Sequence, residues 1–258
     1  MSVKPRTYLN ERTWHRIAGS IPDVRRSCGH RSWAARRFVE AALWIWRTGA
    51  PWRDLPGFFG KWNTVYRRFR RWAKAKVWQA VHKALLKTTP TPRALFIDST
   101  SIRVHQHGAG ARGGARRAAI GRSRGGRTTK IHVAVTDCAT LRASLLSCGQ
   151  HADIRYGWPL VRAARRASTV CVVADRGYDA DRLLQQLARH RLTAVIPPRR
   201  HRRHMRPFDR QAYGSRQVVE RYFARIKHFR RIATRYDKTR ASYQAGILLI
   251  AAVVLTPF

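Results

Sequence analysis

Negative charge is what this chain has least of. Of its 258 residues only 13 are Asp or Glu, against 53 Lys and Arg, and no glutamate occurs between Glu40 and Glu220 or after Glu220. The resulting formal net charge of +40 far exceeds the magnitude of about 2–8 that keeps a small domain soluble. A field of that sign needs a polyanionic partner, and nucleic acid is the usual one. Cysteine is also sparse. Cys28, Cys138, Cys148 and Cys171 form no Cys-x-x-Cys pair, which argues against a disulfide framework or a zinc finger and fits a reducing compartment. Long apolar runs are missing as well. The longest, around Gly246 to Phe258, is too short to span a bilayer and reads as a core helix, and no signal peptide opens the chain. Aromatic and apolar residues are plentiful, 44% apolar with nine Trp, and this argues against disorder. No internal repeat is evident.

The pattern changes once along the chain. Before about residue 88, apolar positions recur at helical spacing: Phe38, Ala41, Ala42, Ile45 and Trp46, then Val65, Phe69, Trp72 and Val77. Arg67, Arg68, Arg70 and Arg71 fall mostly on the outer face of the second set. Residues 1–88 are therefore expected to form a small all-helical domain with a DNA-binding role, the alternative being a plain helical bundle with a solvated basic face. The Pro/Thr stretch Thr88 to Arg93 reads as a linker. From residue 94 to 258 strand patterns alternate with helical ones: ALFIDST, KIHVAVTD with RASLLSC as hairpin partner, STVCVVAD, the helix DADRLLQQLARH, and the short strand TAVI. A long helix holding Glu220 and a buried carboxy-terminal helix, ASYQAGILLIAAVVL, follow. The expected class is α/β, a mixed sheet with helices on its faces. Residues 107–129 are rich in Gly and Arg without hydrophobic period, and read either as a long basic loop that orders on DNA, with Arg122, Arg124, Arg127 and Lys130 as its cationic contacts, or as a disordered, solvated insertion.

With so few acids, their positions are informative. Asp98 ends the apolar run FI and Asp175 ends VCVVA. Carboxylates at the ends of strands in an open sheet lie where sites assemble. Two of them aimed at one place repel unless a cation sits between, and hard oxygen donors suit Mg²⁺ or Mn²⁺. Either one alone reads better as a turn or helix-cap residue. On a helix, Tyr213, Arg216, Glu220 and Lys227 fall within about 60° of one another, beside an apolar flank of Val219, Phe223 and Ile226. Asp179 and Asp181 read as helix-start residues, and His105 and His107 lack companions at zinc spacing.

These residues resemble the DDE transposases of bacterial insertion sequences, specifically the group marked by Tyr-x2-Arg-x3-Glu-x6-Lys. Tyr213, Arg216, Glu220 and Lys227 meet all four positions and spacings. IDSTSIRVHQH, GRSRGGRTTKIH, VVADRGYDAD and HFRRIATRYDKTR also look like blocks of that group, and GAPWRDLPGFFGKWNTVYRRFRRW is similar to its amino-terminal region. The resemblance implies a ribonuclease-H-like catalytic core preceded by the helical DNA-binding domain. It implies that Asp98, Asp175 and Glu220 hold two divalent ions, Mg²⁺ or Mn²⁺, and cut and rejoin DNA phosphodiesters. Arg216 and Lys227 then hold phosphates, and Tyr213 contacts DNA. The implied partners are the terminal inverted repeats of the element and target DNA, met as a homodimer or a DNA-assembled oligomer on the bacterial nucleoid in the cytoplasm. Two alternatives are a non-catalytic DNA-binding protein and a metal-dependent nuclease without strand transfer. A tyrosine recombinase built on Tyr213 lacks an Arg/His/Arg set to serve it.

Overall fold

The computed structural model describes residues 9–21, 30–110, 113–203 and 205–253. Cys28 and the last residues of the expected carboxy-terminal helix, 254–258, lie outside them. The chain runs α1 (Glu11–Ala18), α2 (His30–Thr48), α3 (Trp62–Lys74), α4 (Val77–Leu85), β1 (Ala94–Val104), α5 (Gly114–Arg117), β2 (Gly121–Ser123), β3 (Gly126–Val135) and β4 (Leu141–Cys148). It continues through α6 (Ile154–Ala164), β5 (Cys171–Ala174), α7 (Asp181–Arg189), β6 (Thr193–Val195), α8 (Arg210–Gly214), α9 (Gln217–Lys227), α10 (Arg230–Ala233), β7 (Thr234–Arg235) and α11 (Arg240–Val253). Two compact units result. One comprises the helices before Thr89, residues 104–118 and the stretch from Ile226 onward; the other comprises Pro90–Arg103 and Ala119–Arg225.

The helical unit forms because its helices carry apolar stripes that must be covered. α1 is opened by Asn10, whose side-chain oxygen accepts from the Thr13 amide at 2.8 Å. Phe38 of α2 meets Trp72 of α3 edge to face, with ring centroids 4.9 Å apart. α11 is buried at every residue from Ala245 to Val253 and packs on α1, α3 and α4. At Gly246 a Cβ atom would come within 1.9 Å of the Trp46 indole, so only glycine lets this helix approach so closely. The stretch from Ile226 thus packs with the amino-terminal helices rather than with the sheet unit. A helix apolar all round has no preferred face, and this one finds its cover among the amino-terminal helices.

In the other unit β3 lies between β1 and an edge shared by β2 and β4, all antiparallel; β1, β5 and β6 are parallel. This is the mixed sheet that the strand patterns call for. Leu95, Ile97, Val172 and Ala174 pack with Leu160 and Val161 of α6 and Leu183 and Leu187 of α7. Each such fully buried aliphatic side chain contributes about 1.5–3 kcal/mol. β3 and β4 are joined by a turn closed by the Thr136 amide donating to the Thr140 carbonyl at 3.0 Å, with Ala139 at φ 56°.

Three local expectations change. β1 does not end at Asp98 but continues to Val104, because β3 pairs with it across residues 96–103. Residues 121–129 are no irregular loop: β2 and β3 form a hairpin around Arg124–Gly125. The helix bearing Glu220 is not continuous with Tyr213, since the chain turns at Ser215 and Arg216 between α8 and α9.

Candidate active site

Parallel pairing of β1 and β5 places Ile97 opposite Ala174, so Asp98 and Asp175 follow side by side on neighbouring strands. Asp98 sits mid-strand with its side chain largely buried, and its Oδ1 accepts from the Ser99 amide at 2.7 Å. Asp175 stands just past β5, and its Oδ1 accepts from the Gly177 amide at 3.0 Å. It thus serves as the cap of the turn Arg176–Tyr178 while remaining beside Asp98. Burial, assisted by the charge of Asp175, holds the Asp98 carboxyl above the usual carboxylate range, although Ser99 and Arg216 pull the other way.

Glu220 reaches this pair through a single intermediary. Arg216 donates from Nη2 to Asp98 Oδ2 at 2.8 Å and from Nη1 to Glu220 Oε1 at 3.0 Å. The break between α8 and α9 permits this, because a helix running straight through Arg216 would keep its side chain on the solvent stripe beside Tyr213. Glu220 is exposed and lies in the first turn of α9, where the helix dipole favours its charge. Tyr178 completes the surroundings. It is buried, its hydroxyl has no hydrogen-bond partner among the described residues, and burial followed by the charges of Asp153, Asp98 and Asp175 pushes its phenol well up.

Comparison with known proteins bears directly on this arrangement. Residues 9–82 match the family model described as "Putative transposase of IS4/5 family", and residues 89–255 match the one described as "Transposase DDE domain". The second match alone covers well over half of the chain. This chain belongs to the DDE-domain transposases. Among curated relatives, "Uncharacterized protein y4sN" of Sinorhizobium fredii is 36% identical over 125 residues, 48% of this chain and 92% of that one. "Putative transposase for insertion sequence element IS6501" of Brucella ovis is 30% identical over 129 residues, 49% of this chain and 97% of that one. Among solved structures, a piggyBac transposase in a synaptic complex with hairpin DNA aligns with a TM-score of 0.50 over 95% of this chain and 71% of that one. At 12% identity it speaks for the fold alone, a ribonuclease-H-like core.

DDE-domain membership carries a general dependence on a divalent metal. The transposase offers the right donors, two adjacent aspartates with hard oxygens. Among the described residues, however, no group of three or more His, Cys, Asp or Glu is set to hold an ion. The Arg216 guanidinium bridges Asp98 and Glu220, the place a cation would otherwise occupy. The residues therefore fit a divalent ion on condition that Arg216 lets go.

The cationic residues expected around the site divide. Arg122, Arg124 and Arg127 are exposed on the β2–β3 hairpin, with Arg122 directly opposite Arg127. Like charges facing each other across strands cost stability, so the arrangement suits an anionic partner. Lys130 is different: it is paired within the fold. Its Nζ donates to Asp153 Oδ1 at 2.9 Å and to the His151 carbonyl at 3.0 Å. Beside that ion pair His132 is fully buried, stacked on Tyr156 at 4.1 Å and hydrogen-bonded through Nε2 to Ser147 Oγ at 2.7 Å. Lys227 is exposed at the end of α9, about two turns beyond Glu220. Tyr213 lies in α8, half-buried against Phe208. The residues missed from sequence are Asp153 and Tyr178, which left no signal there; Asp179 was read as a helix-start residue, whereas the cap position is held by Ala180. Among the described residues no helix is long and apolar enough to cross a membrane.

Proposed function

We propose that Asp98, Asp175 and Glu220 form the catalytic carboxylate set of this transposase and hold two divalent ions, Mg²⁺ or Mn²⁺. The observation that carries the reading is the Arg216 guanidinium, which bridges Asp98 and Glu220 beside Asp175. In the free protein it supplies the positive charge those carboxylates need. A metal bound there supplies activation of the attacking oxygen and stabilisation of the leaving one. Release of Arg216 from Asp98 and Glu220 leaves its planar fork free for a phosphate, a geometry that favours bidentate pairing. Tyr213, Arg216, Glu220 and Lys227 are then the four positions of the Tyr-x2-Arg-x3-Glu-x6-Lys group, with Lys227 and Tyr213 contacting DNA.

In this reading the helical unit and the Arg122–Arg124–Arg127 hairpin hold duplex DNA, the terminal inverted repeats of an insertion sequence. Hydrolysis of a phosphodiester frees a 3′-OH at the element's end, and that hydroxyl attacks a phosphodiester of target DNA while a second alkoxide leaves. Two ends are cut together in a homodimer assembled on DNA. The test is incubation of the protein with a supercoiled donor plasmid carrying the ends, with Mg²⁺, with Mn²⁺, with EDTA, or with Glu220→Gln. Metal-dependent excision and strand transfer, lost in the variant, support the reading. Cleavage without joining assigns a nuclease, and binding without cleavage in either metal defeats the catalytic assignment.

A further inference from the structure

The segment 199–206, after β6, carries Arg199, Arg200, His201, Arg202, Arg203 and Arg206. Self-repulsion should drive such a segment apart. It is instead gathered around one carboxylate. Asp179, with its side chain fully buried, accepts from the Arg199 amide at 2.8 Å, from Arg202 Nε at 2.7 Å and from Arg206 Nη2 at 3.2 Å. Asp181 takes the other end of the Arg202 fork at 2.5 Å. Burial opposes the Asp179 charge, yet the Arg199 amide and the two guanidiniums outweigh it and hold the carboxyl below its usual range. Asp179 is therefore not the cap of α7, a position held by Ala180 without a side-chain bond. The segment is also tied toward the candidate catalytic carboxylates. Arg199 Nη2 donates to the Gly177 carbonyl at 3.0 Å, and the Gly177 amide donates to Asp175 Oδ1. Arg200 and Arg203 remain, both exposed, with no ion pair to any described carboxylate; Arg203 lines an open depression of about 480 Å³ with Arg199 and Arg202.

We propose that Asp179 is a positioning residue that holds Arg199, Arg202 and Arg206 beside Asp175, so that Arg200 and Arg203 grip the phosphate backbone of double-stranded DNA next to the site of cutting. This rests on the catalytic reading above. Charge counting alone makes the opposite forecast, since Asp179→Asn removes a negative charge and should tighten DNA binding.

The test measures duplex affinity against salt by fluorescence anisotropy for the full chain, Asp179→Asn, Arg200→Gln/Arg203→Gln and the triple variant. Limited trypsin digestion of each free protein accompanies it. The arginine pair is expected to keep the wild-type melting temperature and to lower the salt slope by about 1.8, roughly 0.9 per lost phosphate contact. Asp179→Asn is expected to weaken binding, to open 199–206 to trypsin, and to add nothing to the arginine pair in the triple variant. An unchanged slope in the arginine pair overturns the proposal even if Asp179→Asn fails to fold. Tighter binding by Asp179→Asn overturns the positioning role. If the wild-type protein cleaves DNA while the slope stays unchanged, this inference fails and the catalytic reading stands. If the wild type binds no duplex, both fail.

Discussion

Arg216 Nη2 lies 2.8 Å from Asp98 Oδ2, and the two residues are 118 positions apart in the chain. The same guanidinium binds Glu220, so one cation neutralises two members of the candidate catalytic set. Arg216→Gln leaves Asp98 largely buried with its charge uncompensated, which costs about 1–3 kcal/mol. The expected outcome is a lower melting temperature at pH 7 without metal. Added Mn²⁺ should restore part of the loss, and should stabilise the variant more than it stabilises the wild type. Differential scanning fluorimetry with and without Mn²⁺ checks both; an unshifted variant in metal-free buffer contradicts the bridging role.

The hairpin arginines set stability against binding. Arg122 and Arg127 are paired directly opposite each other across the hairpin. Arg127→Gln relieves that repulsion and should raise stability by about 0.2–1 kcal/mol while weakening duplex binding. Chemical denaturation and a DNA titration on the same preparation read the two opposed effects.

His132 makes folding pH-dependent. Burial lowers its pKa to about 4, although Asp153 raises it somewhat and Lys130 and His151 push it further down. The unfolded chain then binds a proton at about pH 6.5 that the folded chain refuses. Unfolding becomes more favourable as pH falls from about 6.5 to about 4, and stability recovers as pH rises. His132→Asn should flatten the melting-temperature profile in that window. An equally steep profile in the variant would assign the acid sensitivity to other groups.

The β3–β4 turn contains an alanine where the backbone is left-handed. Ala139 at φ 56° carries a Cβ that this conformation disfavours. Ala139→Gly should stabilise the protein by about 0.5–1 kcal/mol, the relief exceeding the entropy that glycine adds to the unfolded chain. Urea denaturation measures it, and no effect on DNA cleavage is expected.

Much of the site was legible because local patterns carry it. Buried strands read as apolar runs, so the carboxylates Asp98 and Asp175 at their polar edge were visible, and the apolar flank of α9 marked the face beside Glu220. What was not legible depends on pairs distant in the chain. Lys130 looks like a loop cation until Asp153 is beside it. The helical stripe from Tyr213 to Lys227 obeys its spacing perfectly, yet the backbone turns at Ser215 and Arg216. Nothing in a period of 3.6 residues reports that turn, because its consequence is an ion pair with a strand far upstream.

The amino-acid sequence alone determined the polyanionic partner class, the mixed α/β character, the two strand aspartates and the isolated glutamate, since these follow from composition and local periodicity. Tertiary structure alone decided where α11 packs, that Asp179 gathers the arginines of 199–206, and that Arg216 stands between Asp98 and Glu220. Those outcomes depend on burial and on charge pairing across the fold. A buried carboxylate must find its cation wherever folding brings one.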